Sequence, residues 1–263
     1  MADPGPTPFV LLSTQRSGTS WVMDRLTKHP QVGGYGELLL TGVKGRPNWP
    51  PGSDDRPFLA GYVDERHPGA GDRVWGHYYL FPYLEHLYEP RRDLQAVGFK
   101  LMYSQLLRYP EILLYLRARK VRVLHLVRAN LLDIYLSRES LSKRRGAHAR
   151  SESKREDVKL ELDPAAVVPA LRRLERERAL VRATLRGFRL PTRELIYEDL
   201  RADEQSLYGT LAFLGVADGR DVELSSSLVK LARTSHRESI TNYETIERCL
   251  SGTRYEQFLV DAA

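Results

Sequence analysis

The segment Phe9-Val-Leu-Leu-Ser-Thr-Gln-Arg-Ser-Gly-Thr-Ser-Trp21 constrains the chain more than any other. Phe9 to Ser13 is a continuous run of apolar or small residues, the pattern of a strand buried on both faces, as in parallel sheets covered by helices. A helical spacing starts near Thr19 and runs through Trp21, Val22 and Leu26 towards His29-Pro30. Between them lies a polar turn, Thr14 to Gly18. A strand, a tight glycine-containing turn and a helix N-terminus aim several backbone N–H groups at one spot, where the helix dipole also favours negative charge. Arg16 adds a fixed cation, and Ser17, Thr19 and Ser20 add hydroxyl donors, which makes the turn a candidate phosphate or sulfate site. The ATP- and GTP-binding loop G-x-x-x-x-G-K-[ST] is excluded, because no lysine follows Gly18 and no earlier glycine stands at the required spacing. A strand-to-helix turn without a ligand is the alternative.

Strand and helix patterns alternate along the rest of the chain. Val32 to Glu37 reads as a short glycine-rich strand, and Ala96 to Lys100 as a third strand with a helix running towards Arg117. Val121 to Val127 is a fourth, with a helix from Asn130 to Arg138. Asp163 to Gly187 reads as an amphipathic helix with Val167, Leu171, Leu174, Leu180 and Leu185 on its apolar face. Thr192 to Tyr197 is a further strand, and Glu198-Asp199-Leu200 opens a helical stretch ending at Phe213-Leu-Gly-Val216. The alternation predicts an α/β fold, a P-loop-like three-layer α/β/α arrangement around a central, mostly parallel sheet of about four or five strands. With 42% hydrophobic residues in 263, one sizeable core is attainable, and a single domain over residues 1–263 is expected. Residues 1–8 are expected to be flexible. The Pro- and Gly-dense stretch 44–57 and the basic stretch 143–157 are expected to be mobile surface loops.

Several side chains along this frame can carry chemistry. Glu37 is the first carboxylate beyond the turn. If Val32 to Tyr35 pairs beside the first strand, Glu37 stands at the same carboxyl edge of the sheet, where open α/β folds bind ligands, and can act as a general base. Alternatively it is a first-turn acid for a helix through Leu38-Leu39-Leu40. Lys100 closes its strand at that same edge, as an anion contact or an ordinary surface lysine. Arg128 closes the fourth strand, and Ser137 follows about two and a half helical turns later. Trp49, Trp75, Tyr78 and Tyr79 offer aromatic faces for an acceptor or for packing, and His77 is a second candidate base. His125 reads as a core histidine, and Asp199 as a helix N-terminal acid.

Charge and cysteine content narrow the partners. The net charge of +6 suits an anionic ligand, but the run Lys143 to Arg155 has none of the stacking aromatics of a single-strand binder, so nucleic acid is not expected. No run of about 18 apolar residues suggests a membrane span, and residues 1–8 carry no signal-peptide pattern. The single cysteine, Cys249, excludes an internal disulfide and a cysteine-based zinc site, which suits a cytoplasmic protein. No heptads or interface stripe define an oligomeric state.

The turn Gln15-Arg-Ser-Gly-Thr-Ser-Trp21 resembles the 5′-phosphosulfate loop of sulfotransferases that use 3′-phosphoadenosine 5′-phosphosulfate (PAPS), in the Arg-Ser-Gly form of carbohydrate and bacterial members. Arg128 with Ser137 is similar to that family's 3′-phosphate element, and the interval, one residue longer than in many members, looks like the bacterial carbohydrate-sulfating branch. Tyr197-Glu-Asp-Leu, a helix and Phe213-Leu-Gly-Val resemble a structural signature of the family. Ser235 to Ile246 and Leu250 to Leu259 look like its terminal segment, whose basic loop closes over the nucleotide. The resemblance covers most of residues 9–259 and departs in the Pro-rich loop and the Lys143–Arg155 run, where acceptor specificity would lie. It implies PAPS as donor, PAP as product and no metal. It implies that Arg16, Ser17, Gly18, Thr19, Ser20 and Trp21 hold the 5′ side, and that Arg128, Ser137 and Arg237 hold the 3′-phosphate. It also implies that Arg16 and Lys100 stabilise the transferring group while Glu37 removes the acceptor proton. The implied acceptor is a hydroxyl of a carbohydrate, glycolipid or glycosylated natural product, with a phenolic small molecule as the alternative. A small-molecule kinase and a non-catalytic nucleotide-binding protein are the rival classes.

Overall fold

A computed structural model describes residues 5–43, 45, 56–69, 72–90, 93–148, 159–203, 205–216, 222, 224 and 235–260. In chain order the elements are β1 (Thr7–Ser13), α1 (Thr19–Leu26), β2 (Val32–Tyr35), α2 (Leu59–Arg66), α3 (Asp72–Leu87), β3 (Ala96–Met102), α4 (Tyr103–Arg108), α5 (Ile112–Ala118) and β4 (Arg122–Val127). They continue as α6 (Leu131–His148), α7 (Pro164–Gly187), β5 (Thr192–Ile196), α8 (Tyr197–Ala202), α9 (Ser206–Phe213), α10 (His236–Ser239), α11 (Tyr243–Leu250) and a 3-10 turn (Glu256–Leu259). The chain forms two compact units, Met1–Val127 with Val181–Leu228, and Arg128–Leu180 with Val229–Ala263.

The first unit is built on a five-stranded sheet in the order β2-β3-β1-β4-β5, every pair parallel. Parallel neighbours require crossovers, and the helices that supply them cover both faces. The alternation of side chains along each strand sorts the core accordingly. Val10 and Leu12 of β1 join Val97, Phe99 and Leu101 of β3 and Val123 of β4 in a cluster with α2, α3 and α5 residues. Phe9 and Leu11 join Leu124, Leu126 and Leu195 in a second cluster with Trp21, Val22 and Met23 of α1 and Leu207 and Leu211 of α9. The unit is thus a three-layer α/β/α arrangement.

A polar chain, buried at Tyr103 and His125 and half-exposed at Glu194 and Arg182, runs along the first of these faces. The His125 Nδ1–H donates to Glu194 Oε2 at 3.1 Å, leaving Nε2 to accept the Tyr103 hydroxyl at 2.6 Å. Arg182 donates to both Glu194 oxygens at 2.7 Å, and these hydrogen bonds hold the Glu194 carboxyl below the usual carboxylate range despite partial burial. His125 is therefore a satisfied core histidine, as its position inside an apolar strand suggests.

In the second unit, the start of α6 and the first part of α7 pack with α11 and the 3-10 turn around Leu131, Leu132, Leu171, Leu174, Ile246 and Leu250. Leu160 and Ile240 form a parallel bridge, with Leu160 N donating to Ser239 O and Thr241 N to Leu160 O, both at 2.8 Å.

Five expectations change. Val32–Tyr35 is a strand, but it pairs with β3 and reaches β1 only through it. No helix follows Glu37, because Leu38 and Leu39 form a turn with both side chains buried, and the helix-dipole role for Glu37 falls away. The helix towards Arg117 is broken at Tyr109-Pro110 into α4 and α5, since proline disfavours helical backbone in the residue before it. Lys143 to His148, expected in a loop, continues α6, while residues 149–157 lie outside the described residues. Leu180 is 61% exposed, and Val181 takes the buried position on α7. Residues 1–4, Lys44 and residues 46–55 with Trp49 also lie outside the described residues. Among the described residues no helix is long and apolar enough to cross a membrane.

Candidate functional site

The turn after β1 has the geometry of an anion loop. Arg16 and Gly18 both adopt left-handed backbone conformations, with φ of 70° and 88°. For arginine this is an uncommon and strained conformation, of the kind that collects at ligand sites. Gly18 is the residue before α1, and its carbonyl accepts from Val22 N at 3.1 Å, so the helix starts directly at the turn. The N-cap of α1, Gly18, has no side chain to cap the first backbone N–H groups, which are the groups an anion at a helix N-terminus would take. Ser17 is fully buried, and its Oγ has no hydrogen-bond partner among the described residues. Such a buried hydroxyl costs about 1–3 kcal/mol unless something supplies the bond. Thr19 is 7% exposed, and the Ser20 and Arg16 side chains are exposed.

Lys100 lies opposite Leu11 in the sheet register, and its side chain is 6% exposed. Its Nζ donates to Ser20 Oγ at 3.3 Å, tying β3 to the first turn of α1. Burial pulls the Lys100 pKa below its ordinary value, and the Glu37 charge partly opposes that shift. Gly36 O accepts Lys100 N at 3.2 Å, so the chain entering Glu37 is still bonded alongside β3. Glu37 is half-buried. The structure therefore gathers Ser20, Lys100 and Glu37 at the carboxyl edge of the sheet beside the anion loop. A buried cation here is a cost to folding. Because its native pKa is depressed, the cost is fully present below that pKa and is relieved as pH rises towards the unfolded value of 10.5. Lys100→Met is accordingly expected to melt at a higher temperature than the wild type at pH 7, with the gap narrowing towards pH 10. A variant that melts lower at pH 7 would refute the cost.

Two features were not visible in the pattern of residues. The Tyr197 ring packs against Gly18, so that a Cβ on Gly18 would overlap it. Tyr197 also meets the edge of Trp21 at 5.7 Å between ring centroids. Trp21 itself is 8% exposed, with the Arg25 and Arg201 guanidinium groups over its ring at 4.4 and 5.5 Å. Asp199 lies in the first turn of α8 without capping it.

The second unit holds the remaining arginines. Arg128 Nη2 donates to Asp133 Oδ2 at 3.0 Å, and the Arg128 carbonyl accepts from Arg178 Nη1 at 3.2 Å. Ser137 lies half-buried on α6. Asn130 caps α6, its Oδ1 accepting from Leu132 N at 3.0 Å and Asp133 N at 3.3 Å. Arg237 is mostly exposed, with its guanidinium 4.6 Å from the Tyr243 ring centroid and 3.7 Å from Glu247. The charge partner of Arg128, Asp133, and the histidine that shares it, His236, were not singled out from the sequence.

Of the expected aromatic faces, Trp75 and Tyr78 are exposed at 38% and 70%. Trp75 stacks on His67 at 4.3 Å and meets Tyr78 and Tyr79 edge-on or tilted. His77, the second candidate base, is held instead by Glu111 at 2.7 Å through Nδ1. Cys249 is half-buried on α11. Among the described residues no group of three or more His, Cys, Asp or Glu side chains could hold a metal ion.

No family model matches the chain, and no curated protein matches it. Among solved structures, the crystal structure of a sulfotransferase from Alicyclobacillus acidocaldarius is similar at 17% identity, over 97% of this chain and 95% of that chain, with a TM-score of 0.46.

Proposed function

We propose that the chain is a PAPS-dependent sulfotransferase that sulfates a hydroxyl group of a saccharide or glycosylated acceptor. The observation that carries the reading is the anion loop, with its two left-handed residues, the buried and unbonded Ser17 hydroxyl, and Lys100 with Glu37 beside Ser20. These residues fit a sulfated phosphate, because the turn offers neutral N–H and O–H donors with Arg16, and Lys100 of β3 adds a second cation beside it.

On this reading Ser17, Gly18, Thr19 and Ser20 bind the 5′-phosphosulfate, with Trp21 behind them. Arg128, Ser137 and Arg237 bind the 3′-phosphate. PAPS supplies the sulfuryl group and a phosphate oxygen as leaving atom. Glu37 takes the proton from the acceptor hydroxyl as that oxygen bonds to sulfur and the sulfur–phosphate oxygen bond breaks. Arg16 meets the charge growing on the departing oxygen, and Lys100 steadies the sulfuryl oxygens. Catalysis is then positioning plus fixed charge, as in phosphoryl transfer. Glu37 serves as base because it stands next to Lys100 at the sheet edge, whereas His77 is already engaged by Glu111. The exposed Trp75 and Tyr78 rings suit the apolar face of a sugar, and a phenolic acceptor is the alternative.

Calorimetry without magnesium tests the donor. PAP is expected to bind more tightly than adenosine 5′-monophosphate and than Mg-ATP, and preference for Mg-ATP would return the loop to the kinases. Arg128→Ala is expected to weaken PAP about 10–100-fold, the worth of one charge-assisted hydrogen bond or two, while leaving adenosine 5′-phosphosulfate nearly unchanged. Equal weakening of both would remove Arg128 from the 3′-phosphate.

A further inference from the structure

We propose that His236 is a positioning residue that sets the Arg128 guanidinium for phosphate recognition by holding the opposite oxygen of Asp133. The assignment rests on the 3′-phosphate role given to Arg128 above. Asp133 is the shared piece, with its side chain 4% exposed. Its Oδ2 accepts from Arg128 Nη2 at 3.0 Å, and its Oδ1 accepts from His236 Nε2 at 2.9 Å. On the far side of the ring, His236 Nδ1 stands 3.3 Å from the Leu259 carbonyl. Both ring nitrogens face oxygens that only accept, so the ring that satisfies both carries two protons.

The arrangement changes what Asp133 does to Arg128. Paired with Arg128 alone, a buried carboxylate would neutralise the guanidinium and compete with a phosphate for it. Shared with a protonated His236, its charge is divided, and the three groups together keep one positive charge in a place largely removed from water. An anion has most to gain from a cation there, because the surroundings screen it weakly. The carboxylate also helps to orient the guanidinium, since His236 holds its Oδ1 while Arg128 bonds its Oδ2. Asn130 reinforces the geometry from the same segment. It holds the α6 N-terminus through its Oδ1 and donates its Nδ2 to Phe258 O at 3.0 Å. Among the described residues, Asn130 and His236 both fasten the segment around Phe258 and Leu259 to the start of α6, and His236 joins Asp133 to the Leu259 carbonyl.

Isosteric substitution separates positioning from mere packing. Glutamine places an amide N–H near the Nε2 position and can still donate to Asp133. Asparagine places one near Nδ1 and can bond only the Leu259 carbonyl. PAP and adenosine 5′-monophosphate are titrated calorimetrically into the full-length wild type, His236→Gln and His236→Asn. The wild-type preference for PAP is expected to fall severalfold in His236→Gln, which keeps the bond to Asp133 but not the imidazolium charge, and by about tenfold or more beyond that in His236→Asn, with monophosphate affinity retained in both. Retained monophosphate binding shows that the first unit is folded, and circular dichroism with a thermal melt of each variant checks the second. Equal preference in the two variants, or parallel weakening of both ligands in His236→Asn, would overturn the positioning role while leaving the sulfotransferase reading in place. A wild type that does not prefer PAP would overturn both.

Discussion

Glu37→Gln is expected to lower turnover about 10²–10⁴-fold, the usual contribution of a general base, while leaving PAP affinity within about threefold of the wild type. The amide keeps the size of the carboxylate but cannot take a proton. A second effect separates this outcome from a structural one. Glu37 supports the charge on Lys100 against burial, so removing it lowers the Lys100 pKa further. Any pH dependence of PAP binding that arises from Lys100 should therefore move to lower pH in the variant, because the lysine loses its proton earlier as pH rises. Steady-state turnover and calorimetric PAP titrations over a pH series measure the two together. If turnover and PAP affinity fall by the same factor, Glu37 acts only by holding Lys100 and another group removes the proton.

Gly18→Ala is the more damaging change to the protein itself. A left-handed backbone costs a non-glycine residue about 1–2 kcal/mol, and forcing a methyl group into the Tyr197 ring adds about 1–3 kcal/mol of overpacking. For the first unit this corresponds to a fall in melting temperature of roughly 5–15 °C. Anion binding should weaken as well, since the displaced turn carries the donors. Adding Tyr197→Ala should recover the overpacking share but not the backbone share, so the pair should be less damaging than the sum of the single changes. Strict additivity of the two melting shifts would show that the ring contact with Gly18 is not what makes alanine intolerable.

The strand-turn-helix at residues 9–21 was legible because three local signals coincide there: a buried-strand run, a turn with glycine, and helical spacing. β3 and β4 were legible for a similar reason, each being a short apolar run, whereas β2 (Val-Gly-Gly-Tyr) and β5 (Thr-Arg-Glu-Leu-Ile) were read from their place in the strand–helix alternation. What pairs with what was not. β2 follows α1 directly in sequence yet joins the sheet beside β3, because partner choice is decided by crossover packing. α3 escaped for a different reason. Val74, Trp75, Tyr78, Leu80, Phe81, Leu84 and Leu87 surround the helix on all sides, so it presents no single stripe, and Pro82 lies within it. In the site, Arg16, Ser17, Lys100 and Glu37 could be named from position along the strands. Asp133 and His236 are 103 residues apart, and a contact of that range leaves no mark on local spacing. Tyr197 was read only as part of a motif, although its ring, together with the left-handed backbone at Gly18, excludes a side chain at position 18.

The polar chain Tyr103–His125–Glu194–Arg182 bears on how this protein can change over time. A slip of β4 by one residue against β5 would turn His125 to the opposite face and strand the Glu194 carboxylate, at a cost of about 1–3 kcal/mol for each bond left unmade. Hydrophobic contacts alone would tolerate such a slip more readily, since Val, Leu and Ile substitute for one another across the sheet. With its alignment fastened by specific bonds, the sheet can accept new segments after β2 and between α2 and α3 without losing its order. Loops outside this fastened alignment are therefore free to diversify while the strands keep the same register.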